Sequence, residues 1–161
     1  MKITIRRARE SDASEIADTF LSARARMRYL PRLHTDAEIR HWIEHTMLTC
    51  HEVWVAESAE NGPILGFAAL HDNWLGHLYI KPKAQRQGIG THLLNTAKNS
   101  HPEGLRLYIF QRNTGARRFY VRHGFSVTNF TDGSENQESE PDCVYIWPGF
   151  PAAVAADMQP Q

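Results

Sequence analysis

The sequence predicts an α/β (α+β) fold, a mixed and mostly antiparallel twisted sheet of about seven strands flanked by about four helices. Three observations carry this. Segments of period 2 and period 3.6 follow one another in the order β-α-α-β-β-β-α-β-α-β-β. Residues 52 to 81 hold three strand-like runs separated only by short turns, which is an antiparallel meander. The strand-like GHLYI then leads through the glycine loop QRQGIG into the helix-like THLLNTAK.

Each element has a local cause. ITIRRA alternates apolar and polar residues and reads as the first strand. ESDASEIADTFLSARARMRYL reads as a helix, capped by Ser11 or Asp12, with Ile16, Phe20 and Leu21 on its apolar stripe and Pro31 as its stop. HTDAEIRHWIEHTMLT reads as a second helix. Thr35 with Glu38 three residues on is a capping-box pattern, and Ile39, Trp42, Ile43 and Met47 recur on one face. EVWVAES, ILGFAALH and LGHLYI are the meander strands, with ENGP and DNW as turns, because Asn-Gly accepts positive φ. The glycine-loop helix carries Ile89, Leu93, Leu94 and Ala97 inward. GLRLYIF is a strand. NTGARRFYVRHG is a short helix that Gly124 ends at its C′ position. FSVTNF and CVYIW are the last strands, around the acidic, turn-rich TDGSENQESEPD.

With 161 residues, 42% apolar and 22% charged, residues 1–150 are expected to form a single domain with a real core. The remainder, 151–161, is expected to be a flexible C-terminal tail. Eighteen basic residues balance eighteen acidic ones, so bulk attraction to nucleic acid or to an anionic membrane is not expected. The arginines of ARARMRYLPR fall at alternate positions and spread around a helix, which also argues against a nucleic-acid face. No apolar run approaches the ~18 residues needed to span a bilayer, and MKITIRRARESD has no signal-peptide core. Cys50 and Cys143 lie far apart without metal or disulfide spacing and are read as reduced thiols of a cytoplasmic protein. His41 and His45, at i and i+4, lack a nearby acidic or cysteine partner, so no metal is expected.

The glycine loop poses the chemical question. A helix starting directly after a strand presents unpaired N–H donors and the positive end of its dipole. Gly88 and Gly90 would let a phosphate approach the backbone, with Arg86 at the rim. Two nucleotide motifs are absent: there is no Gly-Lys-Ser/Thr, and no full G-x-G-x-x-G followed by an acidic residue about 20 positions on. A phosphate cradle and a plain capped helix both remain open on this pattern alone.

HLYIKPKAQRQGIGTHLLNTAK resembles the acetyl-CoA-binding motif of the GCN5-related N-acetyltransferases (GNAT), whose Gln/Arg-x-x-Gly-x-Gly/Ala is met by Gln85, Gly88 and Gly90. Downstream, FQRNTGARRFYVRHGF resembles that family's second signature through Asn113, Ala116, Phe119–Tyr120 and Gly124–Phe125. The order of elements from residue 3 to 147 is similar as well. The resemblance implies the acyl-CoA N-acyltransferase fold and an acetyl-CoA-dependent N-acetyltransferase, the acceptor being a small amine, peptide or protein N-terminus. The alternative it leaves is a module of the same fold that binds acyl-CoA without transfer. It further implies no metal, and a possible homodimer.

Residue by residue, the resemblance implies that Leu78, Tyr79 and Ile80 lie along the pantetheine arm. Gln85, Arg86, Gln87, Gly88, Ile89, Gly90 and Thr91 would wrap the pyrophosphate. Asn113 would orient the cofactor near its thioester end, and Tyr120 would protonate the departing thiolate. Many relatives place a glutamate base on the strand before the loop. WLGHLYI has none, so His77 or a water is left for that role, with His71, Asp72, His34 and Glu57 as weaker candidates; a packed His77 is the competing reading. The acceptor would lie against RMRYLPRLHTDAE, where Tyr29 and His34 are expected to bind it. Opposite would be the carboxylates Asp132, Glu135, Glu138, Glu140 and Asp142, either attracting a cationic amine or forming a solvated loop.

Overall fold

In the computed structural model, which describes residues 2–151, seven strands and four helical bodies follow the expected order. Most of the tail expected to be flexible, 152–161, lies outside the described residues. The chain divides into two compact units, Met1–Ala97 and Lys98–Gln161.

In the first unit, β1 (Ile3–Arg7), β2 (Glu52–Ser58), β3 (Ile64–His71) and β4 (Trp74–Ile80) pair antiparallel in chain order. Helix α1 (Ala13–Arg24) supplies Ile16, Ala17 and Phe20 to a core shared with Val53, Val55, Ile64, Phe67 and Ala69. The helix is shorter than its sequence suggests. It was expected to run to Pro31 but ends at Arg24, and 25–30 are turns. Neither glycine nor proline stops it. Ala23 is its last buried residue, and past it the alternating arginines offer no apolar stripe. Helix stability in proteins comes mostly from packing, so the helix ends where packing ends.

The second helical body begins with α2 (Asp36–Trp42). The Thr35 hydroxyl accepts from Glu38 N–H at 3.1 Å, and the Glu38 carboxylate accepts from Thr35 N–H at 3.0 Å, which completes the expected capping box. It then widens into a π-helical segment, Ile43–Met47, before a last turn, α3 (Leu48–Cys50). Both ends of the widened segment, Ile43 and Met47, are fully buried.

Helix α4 (Ile89–Ser100) buries Ile89, Leu93, Leu94 and Ala97, the four residues expected to face inward. Its first turn is seated by Gly66 on β3. A β-carbon there would stand 2.6 Å from Ile80 Cδ1, 3.0 Å from the Tyr79 carbonyl and 3.4 Å from Ile89 Cγ2. The glycine therefore lets the start of α4 and the end of β4 close on each other.

In the second unit, β7 (Asp142–Trp147) lies between β5 (Leu105–Phe110) and β6 (Ser126–Phe130), antiparallel to both. Helix α5 (Thr114–Arg122) ends as expected at Gly124, whose φ is +90°. Lys98 caps that end. Its ammonium donates to the His123 carbonyl at 2.5 Å and sits 4.9 Å from the Trp147 ring centre.

Candidate active site

The loop between β4 and α4 is exposed and leaves room for an outside ligand. Gln85, Arg86, Gln87 and Gly88 are exposed, and Arg86 and Gly88 hold positive φ, +64° and +80°. A β-carbon on Gly88 would meet no atom within 4 Å. The glycine is thus needed for its backbone angle while the space above it is open. The first bond of the helix ladder runs from His92 N–H to the Gly88 carbonyl at 3.1 Å, so the amides of Gly88, Ile89 and Gly90 lie before the ladder begins. Ile89 contributes its backbone alone, since its side chain is in the core at 1% exposure. Amides at a twelve-residue helix N-terminus, ringed by Gln85, Arg86 and Gln87, suit a doubly charged diphosphate.

The strand leading into the loop carries the second component. On β4, Leu78 pairs with Ala68, Tyr79 with Phe67 and His77 with Ala69; Leu75 then pairs with Leu70, leaving Gly76 as a bulge directly before His77. Tyr79 and His77 both turn toward α1: Phe20 meets the Tyr79 ring at 5.3 Å and the His77 ring at 5.7 Å, edge-on in each case. Trp42 meets His77 at 5.6 Å and His51 at 6.2 Å, and His51 meets His71 at 5.2 Å. Ile80 faces the other way, toward Gly66 and α4.

This wall fixes the charge state of His77. Its Nδ1 is sealed from solvent and has no hydrogen-bond partner among the described residues. Burial pushes its pKa down to about 4, with His51 and Arg24 adding to the shift. Burial also lowers His51, helped by His71. Near neutral pH, His77 is an uncharged imidazole packed among aromatic rings.

Tyr29 and His34 lie on the arm joining α1 to α2. Tyr29 is half-buried with its hydroxyl turned out of solvent, while His34 is exposed and directs Nδ1 to Glu38 at 4.0 Å. Of the weaker base candidates, Glu57 is committed elsewhere. It is 2% exposed, lies 3.2 Å from the Arg6 guanidinium and accepts from Asn61 N–H at 3.3 Å. His71 and Asp72 are exposed and face each other at 3.8 Å.

In the second unit, the Asn113 Oδ1 accepts from Ala116 N–H at 3.2 Å and caps α5. Its amide nitrogen and the second lone pair of Oδ1 are left for a cofactor. Tyr120 is 8% exposed and packs edge-on against Phe119 at 5.1 Å and Phe125 at 5.2 Å. Its ring is fixed within the core of its own unit.

The acidic segment is neither an open solvated loop nor a display of five carboxylates. Glu140 and Asp142 are buried. Asp142 receives the Thr131 hydroxyl and the Asn136 side-chain amide, and Glu140 lies 3.1 Å from Arg112. Asn136 also spans the loop, donating to the Glu140 carbonyl at 2.8 Å and accepting from Glu140 N–H at 3.2 Å. The Asp132 carboxylate accepts from Ser134 N–H. Asn136 and Asp132 bond the segment's backbone, and the Glu140 and Asp142 carboxylates are engaged by the side chains of Arg112, Thr131 and Asn136.

Four residues around β4 were missed from sequence: Phe20, Trp42, His51 and Arg24. Phe20 and Trp42 were placed on apolar helix faces, which is where they are; nothing in their spacing marked them as neighbours of His77. His41 and His45 stack at 4.2 Å between ring centroids, and no metal-holding group of His, Cys, Asp or Glu occurs among the described residues. No helix there is long and apolar enough to cross a membrane.

Comparison with known proteins bears on this geometry. The model of the GNAT acetyltransferase domain matches residues 49–127, which include β4, the glycine loop, α4, Asn113 and Tyr120. Peptidyl-lysine N-acetyltransferase YiaC of Escherichia coli K12 is 34% identical over 96 residues, or 59% of this chain and 62% of that protein. Peptidyl-lysine N-acetyltransferase YjaB of Salmonella typhimurium is 32% identical over 96 residues, 60% of this chain and 65% of its own. The match thus spans less than two thirds of the length of these curated relatives. The solution structure of YjaB from Escherichia coli superposes with a TM-score of 0.74 at 26% identity, covering 93% of this chain and all of that one. PaiA N-acetyltransferase from Thermoplasma acidophilum, solved with coenzyme A, has the same fold at a TM-score of 0.70 and 22% identity, over 92% of this chain and 99% of its own. The expected architecture, a mixed and mostly antiparallel sheet of seven strands with four helices, is therefore the fold found. Residues 49–127, which carry both signature segments, thus resemble the GNAT acetyltransferase domain, on a fold shared with YjaB.

Proposed function

We propose that residues 1–150 act as one acetyl-CoA-dependent N-acetyltransferase domain whose acceptor is the side-chain amine of a lysine in a protein or peptide. The observation that carries the donor half is Gly88: a positive φ, open space where a side chain would project, and ladder-free amides at the start of a long helix. The acceptor half draws on the peptidyl-lysine activity named for YiaC and YjaB. Gln85 to Thr91 hold the pyrophosphate, mainly through backbone N–H groups. Leu78, Tyr79 and Ile80 offer strand amides to the pantetheine, in the way a peptide adds to a sheet edge. Asn113 reaches the donor with its side-chain amide nitrogen.

Acetyl-CoA supplies an activated acyl group as a thioester. The chain has three tasks around it. A β4 backbone N–H supports the carbonyl oxygen as negative charge develops there. Tyr120 gives its phenolic proton to the sulfur as the C–S bond breaks, acting as a positioned general acid. The attacking amine must shed a proton, and water carries it away. A His77 imidazole with a pKa of about 4 is too weakly basic to be the main proton store, and it acts instead as a neutral wall beside the acceptor.

The test is release of CoA thiol from acetyl-CoA in the presence of lysine peptides and a panel of small amines, with Tyr120→Phe alongside. Turnover on lysine peptides supports the proposal. Cofactor binding with no turnover on any amine would make the chain an acyl-CoA-binding module.

A further inference from the structure

The protein has no net charge, yet its charge is unevenly placed. The twelve residues from Ala23 to His34 contain four arginines, Arg24, Arg26, Arg28 and Arg32, and no carboxylate. One of the four, Arg32, is offset by an ion pair with Asp36. The acidic groups nearest in sequence are spent locally: Asp36 on Arg32, Asp18 on Arg40, and Glu38 on the Thr35 cap. Arg26 and Arg28 are exposed and form no ion pair among the described residues. Leu33, 46% exposed, adds an apolar contact on the same arm.

The arm starts at the acceptor wall. Arg24 lies with its guanidinium 5.7 Å from the Phe20 ring centre, and Phe20 is the residue that touches both His77 and Tyr79. Arg26 and Arg28 follow within four residues on a turn rather than on a helix, so their spread around a helix axis, which counted against a basic face, does not arise. Guanidinium groups held beside an acceptor channel bind carboxylates in a planar, bidentate manner. A charged surface at the mouth of a site raises the local concentration of oppositely charged substrate.

We propose that Arg26 and Arg28 read carboxylates beside the acceptor, so that the preferred substrate is a lysine flanked by aspartate or glutamate in an acidic peptide segment. The inference rests on the lysine-acetyltransferase reading and adds the sequence context of the lysine. A lysine amine carries its own positive charge until it loses a proton, so an arginine-lined approach disfavours an isolated lysine or a basic peptide. Flanking carboxylates offset that repulsion.

The test uses the full chain and three lysine peptides of equal length, with the lysine flanked by Glu/Asp, by Gly/Ser or by Arg. We expect kcat/KM at low salt to be about tenfold higher for the acidic than for the neutral peptide, the modest gain that exposed charge pairs give. The Arg peptide is expected to be poorest, and the differences should shrink as salt approaches 0.5 M. In Arg26→Glu/Arg28→Glu the acidic-to-neutral ratio should collapse to about one or invert. Equal kcat/KM for acidic and neutral peptides, or an unchanged ratio in the double variant, overturns the proposal. Fluorescence anisotropy with the same peptides, labelled, separates this failure from failure of the enzymatic reading, because binding preference needs no turnover. A preference for the acidic peptide that vanishes in the double variant supports the arginine reading even where no acetyl group moves. Absence of that preference sinks it even in an active enzyme.

Discussion

The His77 imidazole meets the Trp42 ring edge-on, 5.6 Å between centroids, and is thereby held in a site that disfavours its charge. Its folded pKa of about 4 lies below its ordinary value of 6.5. Above pH 6.5 the group is neutral in both folded and unfolded chains and contributes no pH dependence. As pH falls from 6.5 toward 4, the unfolded chain takes up a proton that the folded one refuses, so stability is lost over that window. The loss should reach on the order of 2–3 kcal/mol. His77→Phe, which keeps a ring in the wall, should flatten the decline of melting temperature between pH 6.5 and 4. An equal slope in the variant would place the effect elsewhere, His51 being the next group with the same sign.

Gly88 supports a second expectation. Gly88→Ala forces a β-carbon onto a backbone with φ of +80°, at a fold cost of about 1 kcal/mol. The β-carbon enters the space proposed for the pyrophosphate, and no protein atom within 4 Å is disturbed. Calorimetric titration should show acetyl-CoA affinity falling at least tenfold for a drop in melting temperature of a few degrees. Unchanged affinity would return the loop to the role of a plain helix start.

Much of this was legible in the sequence, for physical reasons that can be traced. The Thr35–Glu38 capping box and the Gly124 stop are local rules, and both appear where the residues demanded them. The glycine loop was legible because positive φ and an open helix start require particular residue types. The end of α1 was not, because no residue breaks it; it stops where buried neighbours stop, which is a tertiary fact. The acidic segment misled for a related reason. Carboxylates read as solvent-facing until the partners of Asp142 and Glu140 are known, and Asn136, Thr131 and Arg112 are ordinary loop residues in the sequence. The Phe20–His77–Trp42 contacts join three separate elements, so no periodicity reports them.

Tyr120 separates chemistry from packing. Its ring is held by Phe119 and Phe125, and phenylalanine keeps that ring while deleting the proton. Tyr120→Phe should melt within a few degrees of the parent and bind acetyl-CoA equally well. Its kcat should fall by about a hundredfold, the lower range for loss of a positioned acid. A rise in KM with kcat preserved would mean that the hydroxyl positions substrate and that the thiolate finds its proton elsewhere.

Arg6 joins three elements by charge, and this yields the last expectation. Its guanidinium meets the Asp12 carboxylate at 2.8 and 3.0 Å and approaches Glu57 at 3.2 Å, tying β1 to the turn before α1 and to β2. Hydrogen bonding to Arg6 holds the Asp12 pKa below the usual carboxylate value, so that contribution is present above pH ~4 and is lost as the medium becomes more acidic. Glu57 is the sensitive partner, because at 2% exposure it has no water to replace the arginine. Arg6→Met strands a buried carboxylate and should cost about 3–5 kcal/mol in denaturant unfolding. Glu57→Gln keeps the volume and removes the charge. Combined with Arg6→Met, it should recover more than half of that loss, since the uncompensated charge is the main penalty. Acetyl transfer should survive Glu57→Gln with kcat within about threefold of the parent, because the carboxylate is engaged by Arg6 and by the Asn61 amide. A hundredfold loss of kcat with full stability would make Glu57 the missing base and would reassign the Arg6 pair from scaffold to catalysis.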